Sequence, residues 1–140
     1  MDLSIQGKTA RGCGADSGIG WNTARIHLAE GATVVVSDID QAQLDNSADQ
    51  LEAPLGKLHA FAADVTSAAS LADLHGKVRD AVGAIDILVQ SSGVTGAQGL
   101  FHEIDEQGRA DTIDVGLMGP VRITREFIGD LRPGGWGRLG

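Results

Sequence analysis

The stretch "GCGADSGIGW", residues 12–21, sets Gly14, Gly18 and Gly20 in a G-x-x-x-G-x-G pattern between a short strand-like run and a helical one. A helix N-terminus carries unpaired backbone N–H groups and the positive end of its dipole, so it attracts phosphate when no side chain blocks the approach. The three glycines give that access: a tight turn, a point of backbone approach and a close helix-to-strand contact. Ser17 and Ile19 belong to the same loop. The spacing differs from the more usual G-x-G-x-x-G, and taken alone the loop leaves a plain flexible turn open as the alternative. Asp38 closes the next apolar run, eighteen residues past Gly20. That is near the ~20 residues at which an acidic side chain holds the adenosine ribose hydroxyls of a bound dinucleotide. A carboxylate there repels a 2′-phosphate, and the loop contains no lysine or arginine, so the pattern favours NAD over NADP. The plainer reading of Asp38 is a solvated carboxylate at a strand end.

Such a site has to be held by alternating strands and helices. "KTARGC" reads as a strand, "IGWNTARIHLAE" as a helix and "ATVVVSD" as a strand, which makes a βαβ unit. There follow "QAQLDNSADQLE" (helix), "GKLHAFAADV" (strand), "SAASLADLHGKVRDAV" (helix, capped near Ser67) and "AIDILVQ" (strand). Runs such as "TVVVS" and "IDILV" are nearly continuous in apolar residues, as expected when helices cover both faces of a parallel sheet. The expected fold is α/β, a Rossmann-like doubly wound parallel sheet with strands ordered 3-2-1-4. Beyond Gly99, "EIDEQGRADTIDVGLM" and "PVRITREFIGDL" predict two helical stretches separated at Gly119 and Pro120, packed as one broken layer. The final "GRLG" could begin a fifth strand. Arg11 and Gly12 stand in the middle of the first strand, where unpaired burial of a charge costs several kcal/mol and glycine weakens pairing, so a frayed or irregular strand is expected.

The bulk properties limit the function classes. A chain of 140 residues suits a single domain. Its formal charge of −8 opposes both a polyanionic nucleic acid and an anionic membrane surface. The one cysteine, Cys13, allows no internal disulfide, and His27, His59, His75 and His102 show no metal-ligand spacing. With no leader-like start and no apolar run long enough to span a bilayer, the expected location is the cytoplasm. Several residues read more simply as structure than as chemistry. Cys13 is a small packed residue, His27 and His59 are packing or surface residues, and Trp21 covers the first helix. Ser91 and Ser92 are turn formers in a loop without a G-x-S-x-G elbow.

On these residues the chain resembles the short-chain dehydrogenase/reductase family over nearly its whole length. "GCGADSGIG" looks like that family's T-G-x-x-x-G-I-G cofactor loop, and "VVVSDID" is similar to its second strand. "ADVT" resembles the D-V-T segment, which implies that Asp64 and Val65 lie at the adenine. "DILVQSSG" resembles D-I-L-V-N-N-A-G, which puts Gly93 beside the cofactor, and "IDVGLMGP" resembles V-N-L-x-G-P. The departures are Gln90, Ser91 and Ser92 in place of N-N-A, and Gly116 in place of an asparagine. The resemblance implies NAD bound by Gly14, Ser17, Gly18, Ile19, Gly20, Asp38, Asp64, Val65 and Gly93, with hydride transfer to or from a small alcohol or ketone. The family's catalytic serine and Tyr-x-x-x-Lys are not found, and the chain contains no tyrosine. No catalytic residue is assigned, and residues 1–140 are expected to be a cofactor-binding domain lacking the C-terminal catalytic and substrate-binding part. The rival expectation is a truncated or decayed non-catalytic module that binds dinucleotide weakly or self-associates. An uncovered sheet edge and helix face favour a homo-oligomer.

Overall fold

The computed structural model describes residues 2–15, 18–94, 96–131 and 133–140, without the Cys13 side chain. Strands and helices alternate: β1 (Thr9–Cys13), α1 (Gly18–Ala29), β2 (Thr33–Asp38), α2 (Gln41–Asp49), β3 (Leu58–Ala62), α3 (Ala68–Val82) and β4 (Ile87–Gln90). Then come α4 (Glu106–Ile113), a π-helical turn (Asp114–Met118), α5 (Gly119–Leu131) and β5 (Arg138–Leu139). The sheet order is β3-β2-β1-β4-β5, and each of these pairings is parallel. The expected Rossmann-like architecture is therefore present, with the "GRLG" segment adding the fifth strand.

Burial on both faces explains the apolar strands. Val35 points into a core with Leu71, Leu74 and Val78 of α3 and Phe127 of α5. Its neighbours Val34 and Val36 point the other way, into a core with Ala24 of α1 and Leu44 of α2. Register places Cys13 beside Ser37 and Gln90, so β1, β2 and β4 finish together and the loops that follow them meet at one edge.

Two expectations about local structure need correction. β1 is neither frayed nor irregular: it pairs in unbroken register with β2 and β4. Arg11 is 0% exposed, but its Nη2 donates to Ser37 Oγ at 2.6 Å and its guanidinium carbon lies 5.1 Å from the Phe127 ring centroid. A charge-assisted bond and an aromatic face replace part of the hydration that burial removes. Nor is the last helical layer broken at Gly119 and Pro120. The chain stays helical through the π turn, where the Gly119 N–H donates to the Asp114 carbonyl. Pro120 has no N–H to continue an α-helical ladder, and the wider turn just before it carries the helix past the gap. Gly119 serves a close approach rather than a break, since a Cβ there would lie 2.9 Å from Val65 Cγ2.

Local signals behave as their chemistry suggests. Ser67 caps α3, its hydroxyl accepting from the Ser70 N–H at 3.2 Å. Ser67→Ala is expected to cost about 1 kcal/mol, measurable by urea unfolding. The Trp21 indole N–H donates to the Ser47 carbonyl at 3.0 Å, tying α1 to α2 as a covering residue would. The His59 ring stacks on Phe61 within β3.

His27, in the last turn of α1, is held below its ordinary pKa by burial. The unfolded chain then takes the proton more readily than the folded one. Stability from this group is full above about pH 6.5 and falls as the pH drops toward the lower folded value. His27→Gln is expected to flatten the stability slope between roughly pH 7 and 5, measured by denaturant melts at each pH. Among the described residues, no helix is long and apolar enough to cross a membrane, and no three His, Cys, Asp or Glu residues are grouped to hold a metal.

Candidate functional site

The glycine loop follows β1 and is pressed onto the neighbouring strand ends. Gly14 has φ +67°, donates its N–H to the Ser37 carbonyl at 3.1 Å, and leaves no room for a side chain. An added Cβ would lie 2.5 Å from the Ser91 carbonyl oxygen and 2.8 Å from the Ser92 nitrogen. Gly18, with φ +57°, begins α1, and Gly20 is buried in its first turn, whereas Ile19 projects outward. Among the described residues, the first turn carries no acidic side chain to oppose the positive end of the helix dipole. At Gly18 and Gly93 an added Cβ would meet nothing within 4 Å, so at both positions the backbone faces open space. Ser17, expected in this loop, lies outside the described residues.

On the far side of β1, the ends of β2 and β3 supply the acids. Asp38 closes β2, and its Oδ1 accepts from the Ile39 N–H at 2.7 Å. Asp64 follows β3, and its Oδ1 accepts from the Thr66 hydroxyl at 2.7 Å and the Thr66 N–H at 2.8 Å. These two bonds, the hydroxyl first, hold the Asp64 carboxyl below the usual carboxylate range, with a smaller contribution from the Arg122 charge. Asp64 is thus an ionised acceptor at neutral pH.

A cavity of about 250 Å³ is lined by Asp38, Asp64, Val65, Gly93 and Val115, among others. Four residues expected to share a site from sequence, Asp38, Asp64, Val65 and Gly93, are thereby brought together from three separate loops. Gly14 adjoins them through Ser91 and Ser92, the second of which also lines the cavity. Gly18, Ile19 and Gly20 stand at the head of α1 and do not line it.

Other members of the site were not singled out in the sequence. Thr66 was legible in principle, because an Asp-x-Thr turn lets the carboxylate accept from the residue two places on. Arg122 had no such signal. Its Nη2 donates to Asp114 Oδ1 at 2.6 Å and its Nη1 donates to the Val65 carbonyl at 3.4 Å, fastening α5 to the loop after β3. Ser37 and Val115 likewise line the cavity. Gly116, which departs from the family pattern, has open space where a side chain would begin, so no local crowding requires glycine there.

A parallel sheet whose first crossover carries a glycine loop, with carboxylates at the next two strand ends, is arranged to hold a nucleotide. The comparisons with known proteins agree with this geometry. Residues 12–138 match the family described as Enoyl-(Acyl carrier protein) reductase. The chain is 35% identical to the uncharacterized oxidoreductase YxbG of Bacillus subtilis, covering 89% of this chain and 45% of that protein. It is 32% identical to the 3-oxoacyl-(acyl-carrier-protein) reductase FabG of Thermotoga maritima, covering 90% of this chain and 51% of that protein. A short-chain dehydrogenase/reductase of Brucella melitensis, a glucose/ribitol dehydrogenase, superposes with a TM-score of 0.85 at 29% identity, over 94% of this chain and 54% of that one. L-Sorbose reductase of Gluconobacter frateurii, solved with NADPH and L-sorbose, gives 0.88 at 28% identity, over 99% of this chain and 53% of that one. The chain spans about half the length of the curated relatives it matches. Fold, glycine loop and matched length together place the chain in the short-chain dehydrogenase/reductase family.

Proposed function

We propose that this chain binds NAD and forms the cofactor-binding half of an oxidoreductase that acts on a small alcohol or ketone. The observation that carries the reading is the meeting of Asp38, Asp64, Val65 and Gly93 around one cavity next to the Gly14 turn. In this reading the head of α1 faces the diphosphate, Asp38 accepts from the adenosine ribose hydroxyls, and Asp64 and Val65 border the adenine. A bound nicotinamide dinucleotide supplies the chemistry of hydride transfer. Arg122 keeps the Val65 loop in place by bonding its carbonyl. The chain contains no tyrosine, so we assign the handling of the alcohol proton to the part of the family's length that these residues do not span.

NADPH accompanies L-sorbose reductase in its solved structure. In this reading the Asp38 carboxylate at the end of β2 would repel a 2′-phosphate, which supports NAD. The reductase names among the relatives support a carbonyl or alcohol substrate. The reading includes a cytoplasmic location and self-association. Ile113, Leu117 and Val121, spaced four residues apart along α4, the π turn and α5, are all at least half exposed and form an apolar stripe suited to a second copy.

NADH titration followed by fluorescence and by thermal unfolding tests the reading directly. At a hundredfold excess over Kd, NADH should stabilise the protein by about 2.7 kcal/mol, and NADPH should need a higher concentration for the same effect. An unchanged melting curve with both dinucleotides would defeat it. Light scattering of the same samples should show a mass above that of one chain, and a strict monomer would remove the self-association part.

A further inference from the structure

Arg11 is an unusual residue for the centre of a parallel sheet, where an aliphatic side chain would fill the space without desolvating a charge. Its guanidinium lies on the α3 and α5 side of the sheet, against Phe127, and donates to Ser37 Oγ at 2.6 Å. Ser37 is two residues from Val35, which packs with Phe127 on that same side. It is also one residue from Asp38 and lines the cavity that Asp38 and Asp64 share. The buried arginine and the candidate nucleotide pocket therefore meet at the Ser37 hydroxyl.

A guanidinium only donates, so the Ser37 oxygen must accept in this pair, and the serine keeps its own hydrogen to donate elsewhere. A short charge-assisted bond also limits the directions in which that hydrogen can point. We propose that Arg11 is a positioning residue of the nucleotide pocket, which holds the Ser37 hydroxyl so that it donates toward the adenosine half of the ligand. Asp38 and Asp64 offer this part of the pocket carboxylate acceptors, and Ser37 adds a neutral donor for a ribose or purine acceptor. The inference rests on the dinucleotide reading above and adds to it a specific donor and the residue that aims it.

NADH and 5′-AMP titrations of the full chain test it, using Arg11→Met, Ser37→Ala, the double variant and Arg11→Lys, each checked for folding by circular dichroism. Each single variant should bind both ligands roughly five- to tenfold more weakly, the loss of about one hydrogen bond. The double variant should lose no more than a single one, because both changes remove the same aimed donor. Arg11→Lys, which keeps a cationic donor, should recover most of the affinity, a rescue that a merely space-filling role would not give. Wild-type affinity in folded Arg11→Met, or in Ser37→Ala should the methionine variant fail to fold, would overturn the proposal while leaving the dinucleotide site intact. Additive losses in the double variant, or no rescue by lysine, would also overturn it. A wild-type chain that binds neither ligand would overturn the dinucleotide reading itself, and this inference with it.

Discussion

Gly14→Ala is expected to destabilise the protein by about 2–4 kcal/mol and to remove nucleotide binding. Two separate costs combine. The backbone at Gly14 has φ +67°, a conformation that an L side chain rarely adopts. The new Cβ would also come within 2.5 Å of the Ser91 carbonyl oxygen, which belongs to the backbone after β4 and cannot rotate aside. Either the glycine loop lifts from the sheet or the end of β4 moves, and the second would carry Ser92 and Gly93 with it. The cavity is lined by both of these residues, so its shape changes in either case. Gly116→Ala provides the control. Its Cβ would meet nothing within 4 Å, and alanine in a helical position should be neutral or gain about 0.5–1 kcal/mol. Urea unfolding and NADH titration of the two variants should give opposite results, and a Gly14→Ala protein that is stable and binds NADH would contradict the crowding seen at this turn.

Asp38→Ala should change which dinucleotide is preferred, at little cost in stability. The carboxylate closes β2 beside the cavity, and its Oδ1 accepts from the exposed Ile39 N–H. If it accepts from the ribose hydroxyls, its loss should weaken NADH binding by roughly ten- to a hundredfold, the usual range for a hydrogen bond to a charged group. NADPH should be affected in the opposite sense, because the variant no longer repels a 2′-phosphate. The ratio of the two dissociation constants is therefore the informative quantity, since a general disturbance of the pocket would weaken both. Tighter binding of NADPH than of NADH by the unaltered protein would show that Asp38 does not select the cofactor.

Much of the site was legible because its determinants are local. Glycine at the strand-to-helix turn and an acid at the end of an apolar strand each act within a few residues, whereas Asp64 and Val65 were implied by the resemblance of "ADVT" to the family's D-V-T segment. Right-handed crossovers leave few arrangements of consecutive βα units, and the dinucleotide-type loop and acid selected the 3-2-1-4 order among them. Helix caps such as Ser67 were readable for the same reason. The run "GLMGP" misled because glycine and proline usually end a helix. Here Gly119 makes room for Val65, and the π turn takes up the missing N–H of Pro120.

By itself, then, the sequence determined the α/β layering and the places of the glycine loop and of Asp38 at the end of an apolar strand. Periodicity and turn chemistry are properties of neighbouring residues, and a single chain displays them without knowledge of its fold. Only the tertiary structure decided that Arg11 could be buried, that Gly14 must lie against Ser91, and that Arg122 would brace Val65. The reason is sequence separation: Arg11 and Ser37 are 26 residues apart, and Val65 and Arg122 are 57 apart. Parallel pairing and helix packing set those distances, and no local pattern of residue types encodes which side chains will meet across them.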